Sequence, residues 1–425
     1  MQHEVIEQAD DLWLVLPHLG PGGAQKVALL AAGFFMAKGW RVRLVTMLPG
    51  PAQAHAIPEG LLVTDLAPAV DDLWKRDHWN RSLLARGRRD LAPKRRLHRA
   101  LARLVMGPLV GLLESVQPGQ RCWRSSLLQW CVQGIDGPPS VELERLLQRH
   151  CPRRVVSFLS RTNMRTCSAL WWRDCHLVVS ERNDLRKQQL PFPWPRFRRL
   201  LYRRADVLTA NTTGVMESLV PLFQARHLAL LPNPLPMPVV PAAVGSAGDR
   251  QGFVTVARLV PQKGIDVLIR ALAQTSGAAQ DWTLTLVGDG PEREALERQV
   301  LQAGLEEKVH FLGFRSDPQT SLLQAGVFVL PSRYEGMPNA LLEAMAVGLA
   351  VVVTDASPGP LEVVEAGVSG LVVPSDEAAA LADALDRLAA QPQLRERLGA
   401  AARETLRQSD WPAVGPIWES LVDQR

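Results

Sequence analysis

The sequence predicts an α/β protein of two doubly wound domains, each a parallel sheet covered by helices on both faces. Short apolar runs rich in Val and Leu alternate with helical stretches in both halves of the chain, which is the pattern of a parallel sheet. A stretch rich in Pro, Ala and Gly, residues 232–250, separates the two series and has the composition of a linker. The length of 425 residues is enough for two or three domains with cores of their own.

The first series begins with a strand at 12–17, a glycine turn at Gly20-Pro-Gly-Gly23 and a helix at 24–33. The further strands predicted in this half are 42–46, 155–159, 177–180 and 207–210. Residues 70–150 are rich in Leu and Arg and look helical, with an insertion that contains Trp and Cys. This half therefore has the order of a doubly wound sheet with a long helical insertion.

The second series follows the linker and repeats the same design. Its predicted strands are 253–256, 284–287, 309–312, 327–330, 351–354 and 371–373, with helices between them. Ligands of such sheets bind outside the carboxyl ends of the strands. With two such domains, the cleft between them is the expected active site.

Composition excludes several classes of protein. No run of about 18 uncharged apolar residues is present, so no spanning helix is expected. The N-terminal segment 1–10 is acidic and lacks a signal-peptide pattern, which favours the cytoplasm. The five cysteines form no Cys-x-x-Cys pair, so we expect reduced, mostly buried thiols rather than a zinc site or disulfides.

Charge is distributed unevenly along the chain. Residues 245–425 hold 15 Lys and Arg against 24 Asp and Glu, whereas residues 1–244 hold 33 against 19. Two basic patches dominate the first half, at 75–104 and 181–204. An anionic partner such as a bilayer surface, a phospholipid-linked substrate or a nucleic acid would explain them, and so would a solvated basic face.

Aromatic residues interleave with the second basic patch, and they suggest a membrane interface. These are Phe192, Trp194, Phe197 and Tyr202.

The most informative segment is Glu335-Gly-Met-Pro-Asn-Ala-Leu-Leu-Glu343, which follows a predicted buried strand. Pro338 suits the first turn of a helix, because its missing N–H would have no partner there. A strand, a short loop and a helix N-terminus together form an anion site. Glu335 and Glu343 beside such a site suit a ligand that carries both phosphate and sugar hydroxyls.

The neighbouring strand ends in the second half add to this pattern. Arg258 closes the strand 253–256, and Lys263 follows five residues later. Two cations on one loop at a strand's carboxyl end can clamp a diphosphate without a metal ion. Gly288, Gly313 with Phe314, and Ser332 come at the ends of the next strands, where glycine lets a ligand approach the backbone closely.

With these motifs together, the chain resembles a family 4 retaining glycosyltransferase of the GT-B fold. The resemblance is strongest over 250–375 and is carried by Gly20-Pro-Gly-Gly23, Pro232-Asn-Pro234, Ala257-Arg-Leu-Val-Pro-Gln-Lys-Gly264, Val287-Gly-Asp-Gly-Pro291, His310-Phe-Leu-Gly-Phe314 and Pro331-Ser-Arg-Tyr-Glu-Gly-Met-Pro-Asn-Ala-Leu-Leu-Glu343. One departure is Ala257 before Arg258, where the family often has glycine.

The resemblance implies an acceptor-side domain over 1–240 and a nucleotide-sugar-binding domain over 241–409. It also implies that a last helix, over 410–425, crosses back to the first domain. The two Rossmann-like domains would face each other across a cleft.

The resemblance further implies roles for single residues. Arg258 and Lys263 would hold the diphosphate and stabilise the leaving nucleotide, Glu335 would contact the donor sugar, and Glu343 would bind the ribose hydroxyls. The remaining donor-binding candidates are Gly22, Gly23, Gly288, Gly313, Phe314, Ser332, Gly336, Met337, Asn339, Ala340 and Leu341. The co-substrate would be a nucleotide-sugar, and neither a cofactor nor a metal ion is expected.

Residues at strand ends of the first domain are candidates for the acceptor side. His18 follows the first strand, where it either acts near the reacting sugar or caps the turn. Arg161, Asn163, Arg182 and Asn183 follow the strands 155–159 and 177–180 and would line the acceptor side.

Three other classes remain open at this point. A sugar phosphorylase or a nucleotide-sugar epimerase shares the fold, a nucleic-acid-binding protein would explain the basic patches, and a non-catalytic scaffold would tolerate loss of Glu335. The basic patches lie in one half and the conspicuous site in the other, so nucleic acid is not the expected partner. We expect a UDP-sugar first and GDP-mannose second, with a glycan or lipid-linked acceptor at the cytoplasmic membrane face.

Overall fold

The chain folds into two compact units, each containing one parallel sheet. The computed structural model describes residues 10–76, 113, 116–188, 190–223, 228–236 and 250–424. The first unit comprises Met1–Ala210, Met216–Leu231 and Ile417–Arg425, and the second comprises Asn211–Val215 and Pro232–Pro416. The prediction of two doubly wound sheets is confirmed. The chain passes from the first unit to the second between residues 231 and 232, nine residues before the predicted boundary. It returns to the first unit within the last helix.

The sheet of the first unit has seven parallel strands in the order β3-β2-β1-β4-β5-β6-β7. The strands are β1 Leu12–Leu16, β2 Val42–Thr46, β3 Leu62–Asp65, β4 Arg154–Phe158, β5 His176–Glu181, β6 Val207–Ala210 and β7 Leu228–Leu230. The described helices that begin in this part of the chain are α1 Gly23–Ala37, α2 Ala67–Arg76, α3 Trp123–Asp136, α4 Pro138–Arg149, α5 Ser160–Ala169, α6 Trp194–Leu201 and α7 Thr213–Leu219.

Two strands of this sheet were not predicted, namely β3 and β7. Both lie at the edges of the sheet, and in both the side chains are partly exposed. The continuous apolar run that marks a strand buried on both faces is therefore missing there. The first helix is also longer than predicted, because Phe35 continues its buried face and packs against Trp40 with ring centroids 4.8 Å apart.

The sheet of the second unit has six parallel strands in the order β10-β9-β8-β11-β12-β13. The strands are β8 Phe253–Val256, β9 Leu284–Val287, β10 Val309–Gly313, β11 Val327–Leu330, β12 Ala350–Thr354 and β13 Leu371–Val373. The helices that follow are α8 Ile265–Leu272, α9 Arg293–Gln302, α10 Gln319–Gln324, α11 Asn339–Ala346, α12 Pro358–Leu361, α13 Ala378–Ala390, α14 Pro392–Thr405 and α15 Trp411–Val422.

The strand order of each sheet reverses at one point, which fixes where a ligand is expected. In the first sheet the reversal falls between β1 and β4, and in the second between β8 and β11. Ligands of doubly wound sheets bind in the crevice at such a switch point, outside the carboxyl ends of the strands. The loops after β8 and β11 are the two that carry Lys263 and Glu335.

Three of the four aromatic residues of the second basic patch are buried and the fourth, Phe192, is half-buried, which argues against their predicted role at a membrane interface. Trp194, Phe197 and Tyr202 are buried at 3%, 0% and 2% exposure. Helix α6 is amphipathic, so its apolar side faces the core while Arg196 and Arg199 point outward. Most of the first basic patch, from residue 77 onward, lies outside the described residues.

The prediction that the thiols are mostly buried holds for three of the five. Cys131, Cys167 and Cys175 are buried, Cys122 and Cys151 are exposed, and none of the five forms a disulfide. Among the described residues, no helix is both long enough and apolar enough to cross a membrane.

Glycine at position 264 is required where two loops of the second unit meet. Gly264 has a φ of +63°, and a Cβ built on it would lie 2.0 Å from the carbonyl oxygen of Pro331. A side chain at this position would therefore separate the loop after β8 from the loop after β11. Gly304 has a similar φ of +66°, with no atom within 4 Å of the same virtual Cβ.

We predict that Gly264→Ala destabilises the second unit considerably more than Gly304→Ala does. Both changes place alanine at a positive φ, which costs about 1 kcal/mol, but only Gly264→Ala adds an overlap with main chain, roughly 1–3 kcal/mol more. Urea unfolding of both variants measures the difference. Equal unfolding midpoints would show that the approach of the two loops is not tight.

Candidate functional site

The two loops at the switch point of the second unit are joined by an ion pair between predicted site residues. The Nζ atom of Lys263 contacts Oε1 of Glu335, and these side chains are only 16% and 7% exposed. Partial burial shields the pair from water and salt, which strengthens its electrostatic attraction. The cation predicted for the diphosphate and the carboxylate predicted for the sugar thus lie side by side.

Three hydroxyl groups fix the position of Glu335. Ser332 Oγ donates to Glu335 Oε1 at 2.7 Å, and the backbone N–H of Glu335 donates to Ser357 Oγ at 2.8 Å. Thr354, at the end of β12, donates its hydroxyl to the carbonyl of Ser332 at 2.5 Å. Thr354 and Ser357 had no role predicted from the sequence, although polar residues at the end of a buried strand are a signal that points to them.

Arg333 clamps the same two loops together and also had no predicted role. Its guanidinium donates to both carboxylate oxygens of Asp266, at 2.9 and 2.7 Å, and to Asp376 at 2.8 Å. Its backbone N–H donates to the carbonyl of Gln262 at 2.8 Å. Partial burial alone would raise the pKa of Asp266, but hydrogen bonds and charge from Arg333 and Arg270 hold that pKa below its usual value.

Helix α11 begins at Asn339, one residue after Pro338, which was predicted to lie in the first turn of the helix. Pro338 is the N-cap, with an extended backbone at φ −77° and ψ 117°, so it precedes the first turn instead of lying in it. Asn233 fixes this helix start, because its Nδ2 donates to Asn339 Oδ1 at 2.7 Å and to the carbonyl of Met337 at 3.2 Å. Glu343 lies within the helix and is 4% exposed.

The other donor-site candidates of this loop differ in exposure. Gly336, Asn339 and Leu341 are buried, and Met337 and Ala340 are half-buried. The main chain packs tightly here, since a Cβ on Gly359 would lie 1.8 Å from the carbonyl oxygen of Gly336.

The ends of β9 and β10 are also held together through their backbones. The N–H of Gly288 donates to the carbonyl of Gly313 at 2.8 Å. A Cβ on Gly288 would lie 1.8 Å from the carbonyl oxygen of Ala257, next to Arg258. Arg258 and Phe314 are both exposed, so a charged group and an aromatic ring face solvent at this edge of the sheet.

Among the described residues, no group of three or more His, Cys, Asp or Glu side chains could hold a metal ion. The cationic side chains of Arg258 and Lys263 suit an anionic ligand.

In the first unit, the turn after β1 is organised by His18. Its Nδ1 accepts a hydrogen bond from the N–H of Gly20 at 3.1 Å, which is the turn-capping role considered as an alternative for this residue. Gly22 is the N-cap of α1, and Gly23 is its first residue. These positions place the N-terminus of α1 at the ligand edge of the first sheet.

The acceptor-side candidates fall into two kinds. Arg161 is half exposed, stacks over Trp194 at 5.1 Å and pairs with Asp136 at 3.2 Å. Asn163 and Arg182 are buried, at 0% and 7% exposure, and Asn183 is half-buried.

The two buried candidates contact groups of their own unit. Asn163 donates to the carbonyl of Ser180 at 3.0 Å, and Arg182 lies over the rings of Phe158 and Trp418. In the structure these contacts support the sheet edge from within.

Glu181, the last residue of β5, is a buried carboxyl group that sequence analysis did not single out. Tyr202 donates its hydroxyl to Glu181 Oε1, and Ser160 Oγ lies 2.9 Å from Oε2. Ser160 Oγ also lies 2.8 Å from Gln188 Oε1, which accepts a hydrogen bond from Arg198 at 2.9 Å. These contacts tie the start of α5 to the end of β5.

Burial favours the neutral form of Glu181. It raises the pKa of this carboxyl group, against the opposing hydrogen bonds that Tyr202 and Ser160 donate to it.

Comparison with known proteins shows similarity to glycosyltransferases. Residues 239–405 match the family described as Glycosyl transferases group 1. The lipopolysaccharide core biosynthesis glycosyltransferase LpsE of Rhizobium meliloti is 32% identical over 209 residues, 48% of this chain and 60% of the relative. A GDP-mannose-dependent phosphatidylinositol monomannoside mannosyltransferase of Mycolicibacterium smegmatis is 36% identical over 190 residues, 42% of this chain and 49% of the relative.

Solved structures show the same fold over nearly the whole chain. Anabaena Alr3699/HepE, crystallised with UDP-glucose, superposes with a TM-score of 0.68 at 19% identity and covers 97% of this chain and 99% of its own. The two parallel sheets are those of the GT-B fold. The aligned segments span about half to three fifths of the two sequence relatives.

For the buried carboxyl group we predict that Glu181→Gln becomes more stable relative to the unchanged protein as pH rises. A raised pKa means that the acid form stabilises the fold below the ordinary pKa of Glu, about 4.3, and that this stabilisation is lost as pH rises through the folded pKa. The amide keeps the hydrogen bonds and does not ionise. Urea unfolding midpoints between about pH 5 and pH 8 measure the effect.

The matched control is Glu217→Gln, which alters a carboxylate in the same unit that is 65% exposed. That variant should follow the unchanged protein at every pH. A constant difference between Glu181→Gln and the unchanged protein would mean that Glu181 is ionised throughout.

Proposed function

We propose that this protein is a retaining glycosyltransferase of family 4 that moves a sugar from a nucleotide-sugar to a glycan or lipid-linked acceptor. The observation that carries the proposal is the Lys263–Glu335 pair at the switch point of the second sheet. It combines a cation for a diphosphate with a carboxylate for sugar hydroxyls. The match of residues 239–405 to the glycosyltransferase family covers both residues.

The chemistry expected of these residues is stabilisation of the leaving group. The bond between the anomeric carbon and the diphosphate oxygen breaks, and a bond to the acceptor oxygen forms on the same face of the sugar. The departing phosphate oxygen takes the proton of the acceptor hydroxyl. Arg258 and Lys263 then stabilise the charge that builds on the diphosphate, and fixed charges of this kind need little reorganisation during the reaction. This scheme requires no metal ion.

Neighbouring groups of the second unit suit the rest of such a donor. The N-terminus of α11 and the amides of the 335–340 loop suit phosphate oxygens. Glu343 suits the ribose hydroxyls, and the exposed ring of Phe314 suits a planar base. Glu335, held by Ser332 and Ser357, is oriented for the transferred sugar.

For the donor we propose a UDP-sugar first and GDP-mannose second. The UDP-glucose complex of HepE supports the first choice, and the GDP-mannose-dependent relative supports the second. For the acceptor we propose a glycan or lipid-linked sugar at the cytoplasmic face of a membrane. Similarity to a glycosyltransferase of lipopolysaccharide core biosynthesis and to a phosphatidylinositol monomannoside mannosyltransferase supports the glycan or lipid-linked acceptor. Polysaccharide or lipopolysaccharide biosynthesis is the process that we propose.

An assay of nucleotide release distinguishes a transferase from a phosphorylase or an epimerase of this fold. A transferase or its slow hydrolytic side reaction releases free nucleotide from the nucleotide-sugar without added phosphate. An epimerase releases none, and a phosphorylase depends on phosphate. Salt-sensitive binding of RNA or DNA would support the nucleic-acid alternative instead.

We predict that Lys263→Gln weakens UDP binding roughly 10- to 100-fold, since a hydrogen bond to a charged group contributes about 1.5–3 kcal/mol. The measurement is a titration with UDP and GDP, read by thermal shift and calorimetry. The matched control is Lys308→Gln, because Lys308 lies in the same unit and donates to the carbonyl of Gln280. An unchanged dissociation constant for Lys263→Gln would remove Lys263 from the diphosphate site.

We predict a different effect for Glu335→Gln, because Glu335 is assigned to the sugar. Binding of UDP should persist or become tighter, since a negative charge near the diphosphate is removed. The additional affinity for the UDP-sugar over UDP should fall, and nucleotide release should slow by about tenfold or more. Equal loss of UDP and UDP-sugar binding would instead place Glu335 at the diphosphate.

A further inference from the structure

An exposed pair of tryptophans stands on helix α3, and neither is among the aromatic residues that the sequence had suggested for a membrane. Trp123 and Trp130 are 63% and 70% exposed, and Trp130 is the most exposed large hydrophobic side chain among the described residues. The two are seven residues apart, about two helical turns, so they share one face of the helix. Leu127 and Gly134 fall on the same face.

The opposite face of α3 anchors the helix in the first unit. Leu128, Cys131 and Val132 are buried there. Asp136, the only acidic residue of the helix, is also buried, where it pairs with Arg165 Nη2 at 2.6 Å and accepts from Ser140 at 2.7 Å. The tryptophan pair therefore belongs to a firmly packed helix.

Positive charge lies beside the tryptophans. Arg124 stacks over the ring of Trp123 at 5.3 Å, and Arg121 lies 6.0 Å from the ring of the half-buried Trp172. With Asp136 buried, the exposed side of the helix combines apolar rings and arginines without a carboxylate of its own. We call the surface formed by Arg121, Trp123, Arg124, Trp130 and Gly134 the tryptophan face.

We propose that the tryptophan face is the surface with which this protein docks on an anionic lipid bilayer. The indole ring has an apolar body and a polar N–H, which favours the headgroup level of a membrane. Arginines beside it are attracted to anionic headgroups. This inference rests on the proposed function, in which the acceptor is at a membrane, and it assigns the docking role to α3 instead of to residues 192–202.

The test uses the whole protein and flotation with two kinds of vesicle, phosphatidylcholine alone and phosphatidylcholine mixed with phosphatidylglycerol. We expect binding to the anionic vesicles and an approximately tenfold or greater loss in the double variant Trp123→Ala, Trp130→Ala. Leu301→Ala is the matched control, because Leu301 is also 63% exposed but lies on α9 in the second unit. It should bind like the unchanged protein.

A second pair of variants tests the charge of the face without removing a packed side chain. Gly134 is exposed, and no atom lies within 4 Å of a Cβ built on it. Both Gly134→Glu and Gly134→Lys should therefore fold, and both remove a helical glycine. Gly134→Glu should weaken binding to anionic vesicles, and Gly134→Lys should strengthen it.

Three results would overturn the proposal. The first is equal flotation of the unchanged protein and the double variant, as expected if another part of the chain covers the face. The second is that the unchanged protein sediments as a dimer, the double variant sediments as a monomer, and neither binds vesicles. A second copy of the chain would then be the partner of this face. The third is identical behaviour of Gly134→Glu and Gly134→Lys on anionic vesicles.

UDP titration of each variant separates this inference from the proposed activity. The changes on α3 should leave the dissociation constant for UDP unchanged, since the donor residues lie in the second unit. Vesicle binding that depends on the tryptophan pair supports the docking face even where UDP fails to bind. UDP binding without vesicle binding overturns the docking face alone.

Discussion

The ion pair between Lys263 and Glu335 is the contact on which the candidate donor site depends. It joins loops that follow β8 and β11, the two strands between which the order of the second sheet reverses. The bidentate pair of Arg333 with Asp266 closes the same junction a few residues away. Because the pairs hold both loops, cation and carboxylate stand in place before a ligand arrives. Such preorganisation is what stabilisation of a leaving diphosphate requires.

Backbone contact supports these charges. Gly264 and Gly288 bring loops so close to neighbouring carbonyl oxygens that a Cβ would overlap with them. Hydroxyl groups of Ser332 and Ser357 then orient Glu335 within the narrow space. These polar side chains can be partly buried without a large cost in folding free energy, because each has a hydrogen-bond or ion-pair partner there.

The first unit also has a buried carboxyl group at the end of a strand. At the end of β5, Glu181 accepts hydrogen bonds from Tyr202, Ser160 and Asn163. Burial disfavours its ionised form and raises its pKa against these hydrogen bonds. This unit holds charge both at its surface, in Arg161 over Trp194, and in its interior, in the pair of Arg165 with Asp136.

The sequence by itself determined the two doubly wound domains, every strand buried on both faces, and the loops that carry Arg258, Lys263 and Glu335. Periodicity and strand-end residues are local signals, so they are readable along the chain. The edge strands β3 and β7 were not predicted, because partly exposed strands lack a continuous apolar run. Only the tertiary structure decided that Lys263 meets Glu335, 72 residues away, and that Trp194 is buried while Trp130 is exposed. Those outcomes depend on which elements pack together, and residues distant in sequence determine that packing.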